Sequence, residues 1–181
     1  MKRILVYLIT LFFLSSNSLL AYSSNPKDLI NELVNEAILT LSDKNLNKDQ
    51  KSAFIEKVAL ENVDINALGL YTLGELRKSS TKDDISNYQE SFEKYFLKSL
   101  TSRLSDYSSS KFEILGEDKK SSNYTIVNSK ITPTDGGAEI KIDWRVYTKN
   151  PEKPLIRDLI VEGLSFCLLY TSPSPRDVRS S

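Results

Sequence analysis

Histidine is absent from this 181-residue chain, and cysteine occurs once, at Cys167 near the end. The first absence removes the usual general base of near-neutral pH. The second leaves no thiol nucleophile in the body of the chain. Without clusters of either residue, a zinc site has no ordinary ligand set. Disulfides are excluded as well, so an apolar core has to stabilise the fold. Glycine is scarce, at six residues. Neither a Lys/Ser signature nor a helical pattern follows Gly136-Gly137, so that pair reads as a turn and not as a phosphate loop. Charge of one sign is not in excess: 24 Lys+Arg face 24 Asp+Glu. That balance is not a nucleic-acid binder's, and no polybasic face is present for anionic lipid. No internal repeat or long linker appears, and the length predicts one domain.

Only one long apolar run is present. Ile4–Leu14, ILVYLITLFFL, follows Lys2 and Arg3 and leads through SSNS to Leu19, Leu20 and Ala21. This order resembles a secretory signal peptide, with cleavage after Ala21 or Ser23. The run falls short of the about 20 apolar residues that a membrane span needs. An uncleaved anchor is the alternative, because Leu19 and Leu20 extend it. Residues 1–23 are therefore expected to be a signal peptide and the mature protein to be exported and soluble. At the other end, Cys167–Asp177 reads CLLYTSPSPRD. It resembles the translation of a transposase adapter used to prepare DNA for sequencing. On that reading residues 167–181 are foreign and the native chain breaks off near Phe166. A genuine Ser/Pro-rich tail is the alternative. Setting aside Lys2, Arg3, Arg176, Arg179 and Asp177 leaves 20 basic against 23 acidic residues in 24–166, a net charge of −3.

Within 24–166 the pattern runs from helices to strands. Asn25 or Ser24 caps a helix with Pro26 at its first position, and Leu29, Ile30, Leu33, Val34, Ala37, Ile38 and Leu41 share one face. Asn47 opens a second helix, with Gln50 as its capping-box partner and an apolar stripe of Phe54, Ile55, Val58 and Ala59. Asp64 starts a third, interrupted by Gly69 and Gly74, which predicts close packing or a break. Thr81 and Asp84 begin the longest helix, with Ile85, Tyr88, Phe92, Tyr95, Phe96, Leu100, Leu104 and Tyr107 at three- and four-residue steps. After Ser108 the period becomes two. KFEILGE, NYTIVNSKI and AEIKIDWRVYT read as strands, and Leu155–Val161 as a fourth. The turn signals are Thr134–Gly137 and Asn150–Pro154. The predicted fold class is α+β: N-terminal helices packed on one face of a curved antiparallel sheet of about four strands, with an apolar pocket between.

Several elements in order carry a resemblance: Leu73-Gly74 before the long helix, Phe92 within it, Arg103-Leu104 and Tyr107 at its end, AEIKIDWRVY, and Val161-Glu162-Gly163-Leu164-Ser165. Taken together, from Val63 to Leu164, they resemble the MlaC family, the phospholipid-binding auxiliary components of ABC transporters. The resemblance implies a periplasmic carrier, a monomer, that moves phospholipid between an MlaA-type outer-membrane lipoprotein and an MlaD-type inner-membrane complex. It implies no enzyme activity and no cofactor. Family members continue past this point with a C-terminal helical segment.

The residues permit that function on their own terms. A lipid pocket is mostly apolar, with few polar groups. One face of the third strand offers Ile140, Ile142 and Trp144, and the long helix offers Phe92, Tyr95 and Phe96 opposite. Leu70 and Leu73 complete the lipid-binding set expected from the resemblance. No residue is expected to be catalytic or to bind metal. Asp143, Asp158 and Glu162 are the carboxylates that a cone-shaped α+β enzyme or small-apolar-ligand binder would use; exposed or paired strand carboxylates are the plainer reading. An exported interaction domain with a filled core is the third possibility.

Overall fold

The computed structural model describes residues 22–104, 110–134 and 136–165, apart from the Arg103 side chain. The expected signal peptide up to residue 21, Tyr107 and everything from Phe166 onward lie outside the described residues. The described chain runs α1 (Pro26–Ser42), α2 (Lys48–Asn62), α3 (Ile65–Leu73), a 3-10 turn (Gly74–Lys78), α4 (Lys82–Leu104) and then β1 (Ser110–Ser121), β2 (Tyr124–Pro133), β3 (Ile140–Tyr147), β4 (Leu155–Val161) and β5 (Leu164–Ser165).

Each helix begins where the sequence supplies a cap. The Asn25 side chain accepts from the Lys27 and Asp28 amides ahead of α1. Asn47 and Gln50 form the full capping box of α2. The Asp64 side chain accepts from the Ala67 amide at the start of α3. Thr81 and Asp84 bond reciprocally ahead of α4. The Thr81 hydroxyl and amide hold the Asp84 carboxyl below its ordinary pKa. It stays ionised at a helix N-terminus, where negative charge is favourable.

The two glycines of the third helical segment divide the expected roles. At Gly69 a Cβ would stand 3.1 Å from Phe92 Cδ1, so its bareness lets α3 lie close against α4. Gly74 is the break, with φ 56° and ψ −130° as α3 passes into the 3-10 turn.

The strands form one open sheet in the order β1-β2-β3-β4-β5, all pairs antiparallel. A fifth strand of two residues thus follows the four expected. Its hairpin turns on Glu162 and Gly163, with φ 50° and 80°. Positive φ at both central residues matches the right-handed strand twist. Register shifts in β1 and β4 bend the sheet.

Helices pack on one face only. Leu29, Ile30, Leu33 and Val34 of α1 form a core with Val127, Trp144, Val146 and Ile156 of the sheet. A second core is purely helical, made of Ala59, Ile65, Leu68, Phe92 and Phe96. The long helix belongs to this second core through a four-residue stripe of Tyr88, Phe92, Phe96 and Leu100. Adjacent rings of Tyr88, Phe92 and Phe96 stack with centroids 6.1 Å apart.

Replacing Gly74 by Ala is expected to destabilise the protein by about 1–3 kcal/mol, because the new side chain meets a backbone conformation reserved for glycine and not a steric neighbour. Chemical denaturation measures this, and an unchanged midpoint would show that the break relaxes freely.

Candidate functional site

The floor of the helix-facing side is built by cross-strand pairing. Paired residues project from the same face of a sheet. Ser129 pairs with Ile142 and Val127 with Trp144. The indole Nε1 of Trp144 donates to Ser129 Oγ at 2.8 Å, and that hydroxyl donates to the Ile142 carbonyl at 3.0 Å. Ser129 is 1% exposed. The indole and the Ser129 hydroxyl therefore satisfy each other within the sheet's inner face.

Beyond Trp144 the same face carries a stripe that no core cluster fully covers. Ile131 pairs with Ile140, Ile142 with Val161, and Val161 with Leu164. Ile131, Ile142 and Val161 are half-buried. Ile140 is 36% and Leu164 61% exposed. Five apolar side chains from four strands thus lie side by side with their faces partly in water. Alternation identified Ile140 and Ile142. Ile131, Val161 and Leu164 were missed because each is singled out only by its cross-strand partner.

The other expected lipid-binding residues take separate places. Trp144 is buried in the α1–sheet core. Phe92 and Phe96 are buried among α2 and α3 residues, in the helical core. Leu70 and Leu73 are half-buried on α3. Tyr95 is 56% exposed, one step off the Phe92–Phe96 row. The described structure joins Ile140, Ile142 and Trp144 on one face and Phe92 with Phe96 in one layer, but assigns the two groups to different cores.

Where the helical layer meets the sheet stands Arg157, a residue outside the expected site. It is the extra residue at the β4 bulge, between Ile156 paired with Val146 and Asp158 paired with Arg145. Its Nε donates to Asp64 Oδ2 at 2.8 Å and its Nη1 to the Tyr124 hydroxyl at 3.0 Å. Nη2 lies 2.7 Å from Asp64 Oδ2. The guanidinium carbon stands 3.4 Å from the Tyr147 ring centroid. Burial lowers the Arg157 pKa, but the Tyr124 and Asp64 hydrogen bonds and the Asp64 charge outweigh it, so the net shift is upward. One cue existed: a cation inside the apolar strand LIRDLIV.

The opposite face of the sheet holds a groove of about 580 Å³ lined by Asp118, Lys120, Tyr124, Ile126, Arg145 and Ile160, among others. The three candidate carboxylates are engaged. Asp143 accepts from Asn128 at 2.8 Å. Asp158, 4% exposed, accepts from Ser165 Oγ at 2.6 Å and lies 3.9 Å from Arg145. Glu162 accepts from the Lys141 amide at 2.6 Å. Among the described residues, no group of three or more His, Cys, Asp or Glu is placed to hold a metal ion. No described helix is long and apolar enough to cross a membrane.

An α-helical layer beside an open antiparallel sheet with an apolar inner face defines a recognisable class. The family model described as "MlaC protein" matches residues 31–174, and the chain belongs to that family. The match runs past Phe166 into the stretch whose sequence resembles an adapter. Among solved structures, the phospholipid-binding protein from Ralstonia solanacearum, determined in complex with a phospholipid, shares the fold with a TM-score of 0.66 at 13% identity. The alignment covers 81% of this chain and 83% of that one. No curated protein matches.

The polar partnerships predict unequal costs. Ser129→Ala, which strands the indole N–H, and Asp158→Asn, which disturbs a buried acceptor, should each cost about 1–3 kcal/mol. Asp143→Asn should cost about 0.5 kcal/mol or less, as expected of a half-buried residue that keeps an amide partner. Urea titration of the three variants checks the order; equal costs would contradict it.

Proposed function

We propose that this protein is a periplasmic phospholipid carrier, a monomer delivered by the signal peptide at 1–23 and acting through the domain at 24–166. It takes lipid between an outer-membrane MlaA-type lipoprotein and an inner-membrane MlaD-type complex, with no catalytic step. The observation that carries this reading is the partly exposed apolar stripe on the inner sheet face of an MlaC-family chain. The phospholipid held by the Ralstonia relative supports it. Acyl chains are the ligand suited to a stripe of Ile131, Ile140, Ile142, Val161 and Leu164 side chains. A head group left in water needs no dedicated chemistry.

The energetics fit a carrier. Each methylene removed from water stabilises the complex by about 0.8 kcal/mol. Two acyl chains are therefore held firmly against release into water. Against a bilayer the gain nearly vanishes, because lipid tails leave one apolar environment for another. Transfer is then close to neutral wherever a partner or membrane receives the lipid directly. The alternative of a cone-shaped enzyme has less support, since Asp143, Asp158 and Glu162 each already hold a protein partner.

Phospholipid recovered by extraction and mass spectrometry from the purified protein tests the reading. Ile142→Glu places a carboxylate in the stripe, at a cost of several kcal/mol while it stays charged (about 4 or more). Leu164→Glu does so at a site too exposed to upset the core. Both variants should lose most of the bound phospholipid, about fivefold or more, since even about 1 kcal/mol of that cost weakens binding about fivefold, while their circular dichroism keeps its helical signal. Undiminished lipid in both would sink the stripe as the binding surface.

A further inference from the structure

We infer that Arg157 is a positioning residue for lipid retention: it clamps the helical layer to the sheet and so governs how readily the lipid leaves. The inference rests on the carrier reading for its lipid part and on the geometry alone for the clamp.

The two cores are nearly separate. Among the described residues, Val63, at the C-terminal end of α2, packs against both. Beside it the backbone crosses from layer to layer, where the Asp64 amide donates to the Ile156 carbonyl at 2.9 Å and Val63 bridges Ile156. Arg157 reinforces this crossing from the sheet side. Its fork takes Asp64 Oδ2 through two nitrogens while the third reaches Tyr124. The ring of Tyr147 supports the guanidinium plane from below. Asp64 Oδ1 at the same time caps α3 through the Ala67 amide at 3.1 Å. One carboxylate therefore belongs to both layers: one oxygen starts a helix of the second core and the other is gripped by the sheet.

A guanidinium is needed for this arrangement. Lysine would keep the charge but reach one partner at a time, with no plane to stack. The β4 bulge is needed too, because it takes Arg157 out of the alternation between the two faces and lets it reach the sheet's end. Loss of this fork would let the α3–α4 side of the helical layer part from the sheet, while α1 and Val58 of α2 stay packed on the sheet core. The acyl chains lie, on the carrier reading, against the inner sheet face that such parting uncovers. Loosening the fork should therefore speed lipid release without altering any residue that touches lipid.

The test uses Arg157→Lys, Arg157→Gln, Asp64→Asn and the Arg157→Lys/Asp64→Asn double variant of the full chain. Each is loaded with fluorescent phosphatidylglycerol and mixed with phosphatidylcholine acceptor vesicles. Release should quicken by about threefold or more in each single variant, and the double variant should match the stronger single one, since the pair acts as a unit. Hydrogen exchange across residues 63–73, measured in parallel without lipid, should quicken in the same variants. Release and exchange both unchanged would overturn the proposal, as would faster release that tracks only a fall in Tm across all four. A parent that takes up no phospholipid overturns the carrier reading instead. Exchange then decides the clamp alone: faster supports it, unchanged rejects it.

Discussion

The hydrogen bond from the Trp144 indole to Ser129 pins the register of β2 against β3, and the rest of the sheet is laid out from that pair. A slip of one residue would strand the indole and turn every inward side chain outward. With the register held, Val127, Trp144 and Val146 face α1, and Ile131, Ile140 and Ile142 line up beyond them. The next strands extend the row by the same rule, adding Val161 and then Leu164. The apolar stripe is thus a consequence of register, not an independent feature.

The same geometry explains why the protein has two cores. The first helix covers the sheet's inner face only as far as Trp144 and its neighbours. The aromatic row of α4 is taken up by α2 and α3, where Gly69 allows close contact with Phe92. Of these helices, α2 also packs on the α1–sheet core, through Val58 and the adjoining Val63. An apolar sheet surface still remains partly in water, and such a patch marks a place where a ligand or partner binds. In a member of the MlaC family, a lipid is the natural occupant.

Polar groups in the fold are arranged to suit such an occupant. Ser129 and Trp144 satisfy each other, and Asp158 is closed off by Ser165 on the far face. Arg157, the charge nearest the joint between layers, is fully employed by Asp64, Tyr124 and Tyr147. Chemistry has been removed from the inner face and concentrated at the joint.

The four helices, the four longer strands and their order were legible in the sequence. Asn25, Asn47, Asp64 and the Thr81–Asp84 pair mark helix starts because an orphan amide needs a local acceptor, and the acceptor lies within three residues. Period-two alternation marked the strands and put Ile140, Ile142 and Trp144 on one face, since that spacing is local too. It also carried the family resemblance, which the match over residues 31–174 establishes. Only the tertiary structure decided what each face meets. Periodicity says that Phe92 and Phe96 must be buried, but not whether a sheet or two helices bury them. Val161 and Arg157 gain their places from partners 19 and 93 positions away: Ile142 and Asp64. Long-range contacts of that kind depend on strand register and layer packing, which no short window of sequence contains.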